Sequence, residues 1–144
     1  MDNLIARTSI HIHASRNKVW EALVDPQAIH QYMFDTNVVS DWKVGGPILW
    51  KGEWQGKPYE DKGVLLEIAA GSKLQYSHFS PLAGLPDIPE NYHTVTIDLS
   101  QAGRETLVTL TQDNNPTEDD RMHSEQNWAM MLALLKKYVE SASS

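Results

Sequence analysis

The chain has 144 residues, 12 Lys and Arg against 19 Asp and Glu for a formal charge of -7, and no cysteine. That acidic balance argues against a nucleic-acid partner, because binders of phosphate backbones carry a clustered basic surface. The missing thiols exclude disulfides, thiol nucleophiles and cysteine metal centres.

The length suits one domain with a genuine core, expected over residues 1–140 with a short tail at 141–144. No apolar run approaches the roughly 20 residues that cross a bilayer. The start, Met1-Asp-Asn-Leu-Ile-Ala-Arg, has neither the basic opening nor the apolar centre of a secretory signal. A cytoplasmic location without a membrane partner is therefore expected.

Residues 9–13 alternate, with Ile10 and Ile12 on one face and His11 and His13 on the other, as in a half-buried strand. Ser15 then precedes a segment whose Val19, Trp20 and Leu23 share a helical face. Asp25-Pro26 stops that helix, and a second helical turn is expected over 26–33. From Thr36 onward strand follows strand. Ile48, Trp50 and Trp54 alternate with Leu49, Lys51 and Glu53 between the turns Val44-Gly45-Gly46-Pro47 and Gln55-Gly56-Lys57-Pro58. Val64, Leu66 and Ile68 are expected on one face, with Leu65 and Glu67 on the other. Leu74, Tyr76 and His78 share a face, as do Val95, Ile97 and Leu99, and Val108 with Leu110 forms the last strand. Between the strands, residues 81–90 carry three prolines and no regular period.

The longest helical signal spans 121–139, where Trp128, Met131, Leu132, Leu135, Tyr138 and Val139 recur at helical spacing. Thr117 with Asp120, or Ser124 a turn later, is placed to cap it. Six or so strands joined by short turns imply an antiparallel meander. With the long helix they make an α+β domain, a curved sheet folded around that helix, with the two short helices in the first crossover.

Several words carry a resemblance. They are residues 14–26 (Ala-Ser-Arg-Asn-Lys-Val-Trp-Glu-Ala-Leu-Val-Asp-Pro), Trp42-Lys-Val-Gly-Gly-Pro47, Leu74-Gln-Tyr-Ser-His78, Val95-Thr-Ile-Asp-Leu99, Leu107-Val-Thr-Leu-Thr111, and Asn127-Trp128 followed by Leu132, Leu135 and Lys136. In this order the chain resembles the helix-grip fold of START domains and the birch-pollen-allergen family. It is most similar to the activator-of-Hsp-90-ATPase-homologue-like (AHSA-like) branch of the SRPBCC superfamily. The resemblance implies a helix-grip (START-like) fold over nearly the whole chain. That superfamily includes lipid carriers, hormone receptors, polyketide cyclases and co-chaperone domains, so it also implies a chaperone ATPase among the candidate partners. The co-chaperones that gave the branch its name carry an additional N-terminal domain, whereas here the first strand is expected near Leu4. The matched words are packing and turn positions, so no catalytic set is carried over.

A sheet gripping a helix leaves space for a small molecule. If Val95, Ile97, Val108 and Leu110 point inward, alternation turns Trp50, Trp54, Tyr76, His78 and His93 inward too. The helix adds Trp128, Met131, Leu132 and Leu135. This aromatic-rich set is either a pocket for a small hydrophobic or aromatic molecule, or plain core. His78 and His93 are the polar candidates, as hydrogen-bond partners of a ligand or as the acid/base of a cyclase- or hydrolase-like enzyme; no orienting carboxylate is identified for either. Leu82, Leu85 and Ile88 are expected to form a lid or a partner contact, or to plug an edge. His11 and His13 lack a third metal ligand, and no metal or cofactor is expected. Monomer and homodimer both remain open.

Overall fold

The computed structural model describes residues 4–33, 35–81 and 84–142. Among them seven strands make one antiparallel sheet: β1 (Leu4–Ile12), β2 (Asn37–Ser40), β3 (Pro47–Trp54), β4 (Lys57–Ala69), β5 (Lys73–His78), β6 (His93–Ala102) and β7 (Glu105–Asn115). Their spatial order is β1-β7-β6-β5-β4-β3-β2. Helices α1 (Arg16–Val24) and α2 (Pro26–Tyr32) fill the crossover from β1 to β2, and α3 (Glu118–Ala142) follows the last strand. This is the helix-grip architecture expected from the sequence. No helix among the described residues is long and apolar enough to cross a membrane.

Local chemistry sets the helix boundaries. Ser15 Oγ accepts from the Lys18 amide at 3.3 Å to start α1. Asp25 ends α1 in an extended conformation and starts α2, its Oδ1 accepting from the Gln27 amide at 3.0 Å. Pro26 opens α2, where a missing N–H costs nothing. α3 begins three residues before the expected start. Thr117 Oγ1 accepts from the Asp120 amide at 3.1 Å and donates to Asp120 Oδ2 at 2.9 Å, and the acidic first turn suits the positive end of the helix.

The inner face of the sheet presents Leu74, Val95, Ile97, Leu99, Val108 and Leu110 to Met131, Leu132, Leu135 and Val139 of α3, and Val19, Leu23 and Ile29 of the short helices join the same core. Leu132 and Leu135 are both 0 % exposed. α3 also braces the free edge of β1. The Arg7 amide donates to Glu125 Oε1 at 3.1 Å, the His13 amide donates to Glu140 Oε2 at 2.9 Å, and Lys136 Nζ donates to the His11 carbonyl at 2.8 Å. Side chains of the helix thus take up strand-edge groups that would otherwise invite another chain. His13 also reaches Glu105 at 3.1 Å.

β4 corrects one sequence expectation. Leu65 is 0 % exposed, whereas Val64 and Leu66 lie on the outer face at 40 % and 43 %. A bulge between Leu65 and Glu67 puts three residue steps of β4 against two of β5, so Leu65 pairs with Tyr76 and Ile68 with Leu74. Leu65 and Ile68 both face the core, and the simple alternation through Val64, Leu66 and Ile68 fails. Gly63 lies so close to β5 that a Cβ there would sit 1.7 Å from the Ser77 carbonyl oxygen.

The proline-containing segment before β6 is tied down. Asp87 pairs with Lys62 of β4 and accepts from Tyr92 Oη at 2.6 Å. Tyr92 stacks on Phe79 with ring centroids 5.1 Å apart, and Asn91 Nδ2 donates to the Pro86 carbonyl at 2.8 Å. The Lys62 and Tyr92 hydrogen bonds hold the Asp87 carboxyl below the usual range, and the Asp87 hydrogen bond holds the Lys62 ammonium above its own.

Two predictions follow from this packing. Leu135→Ala should cost about 2–5 kcal/mol in urea unfolding, while Val64→Ala and Leu66→Ala stay within about 0.5 kcal/mol; Gly63→Ala should be destabilising because backbone, not a flexible side chain, meets the new methyl. For the loop, a depressed carboxyl stabilises above its unfolded pKa and loses that stabilisation as pH falls through its folded value. Amide protection factors over residues 84–91, corrected for the pH dependence of intrinsic exchange, should therefore fall on acidification, and Asp87→Asn should reproduce that loss of protection at neutral pH.

Candidate functional site

The packing between sheet and α3 is uneven. Toward the start of the helix, Met33, Thr36, Trp50, Tyr59, Asp61, Tyr76, His78 and Trp128 surround a cavity of about 130 Å³. Strand pairing assembles it. Trp50 of β3 sits opposite Asp61 of β4, and Tyr76 and His78 come two residues apart on the inner face of β5. The Trp50 ring centroid lies 5.0 Å from that of Tyr76 and 5.0 Å from that of His78. Burial pushes the Tyr76 hydroxyl well above the usual phenol range, so it stays neutral.

The polar groups are few and specific. His78 Nε2 lies 3.0 Å from Asp61 Oδ2, both side chains being largely buried, at 20 % and 16 % exposure. A carboxylate only accepts, so Nε2 carries the proton in this bond. His78 Nδ1 and Asp61 Oδ1 are buried without a hydrogen-bond partner among the described residues. Thr36 Oγ1 and Tyr59 Oη lie 3.1 Å apart.

Trp128 is fixed by a chain of hydrogen bonds. Its Nε1 donates to Gln112 Oε1 at 2.7 Å, and Gln112 Nε2 donates to Asn115 Oδ1 at 3.0 Å and to Ser124 Oγ at 3.1 Å. Ser124 Oγ in turn donates to Asn115 Oδ1 at 3.1 Å. The indole N–H is therefore committed to protein, and Trp128 offers a ring surface rather than a donor.

Two further spaces are present. A void of about 20 Å³ shares Met33, Trp50 and Tyr76 with the cavity and reaches Ile97 and Met131 deeper in the core. A separate groove of about 630 Å³ is lined by Leu85, His93, Asn114, Asp120, His123 and Ser124, among others. His93 Nδ1 donates to the Asp113 carbonyl at 2.8 Å, and its ring stacks near His78 with centroids 6.4 Å apart.

Of the residues singled out in the sequence, the structure thus brings together Trp50, Tyr76, His78 and Trp128. His93 belongs to the separate groove, and Met131 borders the small void. Leu132 and Leu135, expected on the cavity wall, are closed into the core, because α3 meets the sheet most tightly there. Leu85 lines the groove, and Ile88 is 43 % exposed. The Trp54 side chain and Leu82 lie outside the described residues. Thr36, Tyr59, Asp61 and Gln112 were not singled out. Asp61 is the orienting carboxylate that the sequence reading did not find. It shares parity with Leu65 through Gly63, and Leu65 is the buried residue of this strand.

The family whose description is Activator of Hsp90 ATPase homolog 1-like protein matches residues 13–140. Among solved structures, a Cytophaga hutchinsonii protein determined in solution is 57% identical, with 99% of each chain covered and a TM-score of 0.86. A Nitrosomonas europaea protein shares the fold at 17% identity, covering 97% of this chain and 96% of that one, with a TM-score of 0.78. The Aha1 dimer from Colwellia psychrerythraea does so at 22% identity and 97% of both chains, with a TM-score of 0.74. No curated protein matches in sequence. Such a fold goes with ligand-binding or cofactor-like roles in general, and the chain belongs to the Activator of Hsp90 ATPase homolog 1-like family, within the SRPBCC superfamily.

Proposed function

We propose that this chain binds a small apolar or aromatic molecule in the cavity between β3–β5 and α3. The observation that carries this reading is the open volume of about 130 Å³ walled by Trp50, Tyr76 and Trp128, beside a leucine-lined half of the same interface that is fully packed. Small-molecule pockets are lined mainly by aromatic and apolar side chains, with a few placed polar groups that fix orientation. Here the His78–Asp61 pair supplies those groups. A dry cavity of about 150 Å³ holds one benzene ring, so the space suits a single ring. The small void behind Trp50 and Tyr76 gives it little depth to spare.

A second reading, an enzyme of the cyclase or hydrolase kind, is favoured by one feature. Asp61 lies 3.0 Å from His78 Nε2 in the wall of the cavity, and a carboxylate that orients an imidazole is a recurring element of acid/base catalysis. Binding comes first because nothing else in the cavity identifies a reacting bond.

Toluene and indole are suitable probes. Each should raise the melting temperature in proportion to occupancy, by about 2.7 kcal/mol of stability at a hundredfold excess over Kd. Each should also move the indole N–H resonances of Trp50 and Trp128 while leaving that of Trp20 in place. No thermal shift together with unmoved Trp50 and Trp128 resonances would refute the reading.

A further inference from the structure

The length of molecule that fits is set by a partition, given that the cavity binds a small aromatic molecule as proposed above. The cavity of about 130 Å³ and the void of about 20 Å³ have three lining residues in common, Met33, Trp50 and Tyr76. Beyond them the lining is nearly all hydrocarbon, with Leu23, Ile29, Ile48, Leu74 and Ile97 among its residues. The hydroxyl of Tyr32, which also lines the void, donates its proton to the Ala22 carbonyl at 2.9 Å. A space of about 20 Å³ holds no ring by itself, and an apolar one gives a water none of the partners it needs. Its use to a ligand is as an extension for an apolar edge.

Two of the three shared residues are fixed. Trp50 and Tyr76 are buried, stand on strands paired on both sides, and have ring centroids 5.0 Å apart. Met33 stands off the sheet, at the C-terminal end of α2, and is half-buried against the core. Its backbone is held, the amide donating to the Ile29 carbonyl at 2.8 Å and the carbonyl accepting from the Thr36 amide at 3.0 Å. The side chain is therefore the adjustable part. It is unbranched, with three rotatable bonds and a polarisable sulfur, and such a chain adapts to irregular space where a branched one does not.

We propose that Met33 is the residue that sets ligand size at this site. With its side chain between the two spaces the cavity takes one aromatic ring; as it withdraws, the void is joined on and a fused second ring fits. The class of ligand is accordingly a flat aromatic of one or two fused rings, with no polar group at its deep end.

Toluene and indole, titrated by calorimetry into the intact chain, test this together with the methionine methyl resonances. A small change of size in an apolar pocket is worth about 10–200-fold, so Met33→Ala should raise the indole-to-toluene affinity ratio at least about tenfold. In that variant indole should also move the methyl resonance of Met131, which lines the void but not the cavity. Met33→Leu, close to Met in volume, should shift the ratio much less. In the wild type the Met33 methyl should move with both probes, a readout that depends on no variant folding. Three outcomes overturn this inference and leave the cavity reading standing, provided the Trp50 and Trp128 resonances report binding: a Met33 methyl that stays in place, an unchanged ratio in Met33→Ala, or as large a shift in Met33→Leu. Failure of both probes to bind the wild type overturns both.

Discussion

The closure of α3 onto the inner face of the sheet is the contact on which the rest depends. Leu132 and Leu135 make it, with Val95, Val108 and Leu110 in the same fully buried core. Burying side chains of this size contributes about 1.5–3 kcal/mol each, enough to fix the helix where they sit. One turn earlier the same helix carries Trp128 and then Ser124, and apolar packing gives way to the hydrogen-bonded set Trp128–Gln112–Ser124–Asn115. A twisted sheet cannot follow a helix equally closely along its whole length. The leucines take the close end, and the aromatic rings stand around what is left at the other.

Those rings give the unfilled end its character. An imidazole and a carboxylate placed among Trp50, Tyr76 and Trp128 interact more strongly than they would in water, and any acceptor they leave unmatched is correspondingly costly. Buried groups without partners cost about 1–3 kcal/mol each, and a fold tolerates such a cost most readily where it serves a ligand. The contrast with Asp87 is instructive. That carboxylate is paired by Lys62 and Tyr92 at the surface, where it fastens a loop and leaves no valence to offer.

Much of this was legible in the sequence wherever one period governed a whole element. The alternation through Leu74, Tyr76 and His78 and through Val95, Ile97 and Leu99, and the helical spacing from Trp128 to Val139, each placed the right residues on the inner face. The Asp25-Pro26 pair likewise marked the junction between the short helices. What was not legible depends on backbone geometry that the period hides. The bulge at Leu65–Glu67 shifts the parity of β4, so the alternation put Ile68 on one face with Val64 and Leu66 and opposite Leu65, whereas Ile68 and Leu65 share the core face. The same shift concealed Asp61, which lies within a polar run, Glu60-Asp61-Lys62, that looks like an exposed strand. Leu132 and Leu135 show the opposite difficulty, since helical spacing tells which face is apolar but not where along that face space remains.

The bracing of β1 by α3 has a consequence for the order of assembly. Among the described residues β1 pairs with β7 alone, roughly a hundred residues later in the chain, and its outer edge is completed by Glu125, Lys136 and Glu140. Strands β2 to β6 meet their neighbours soon after they are made, whereas β1 has no partner until β7 exists. At about 5–20 residues per second, the first strand spends some 5–20 s of synthesis with both edges open. Such distant pairing slows folding, and it makes the opening of this chain the segment most in need of shelter while the ribosome is still at work.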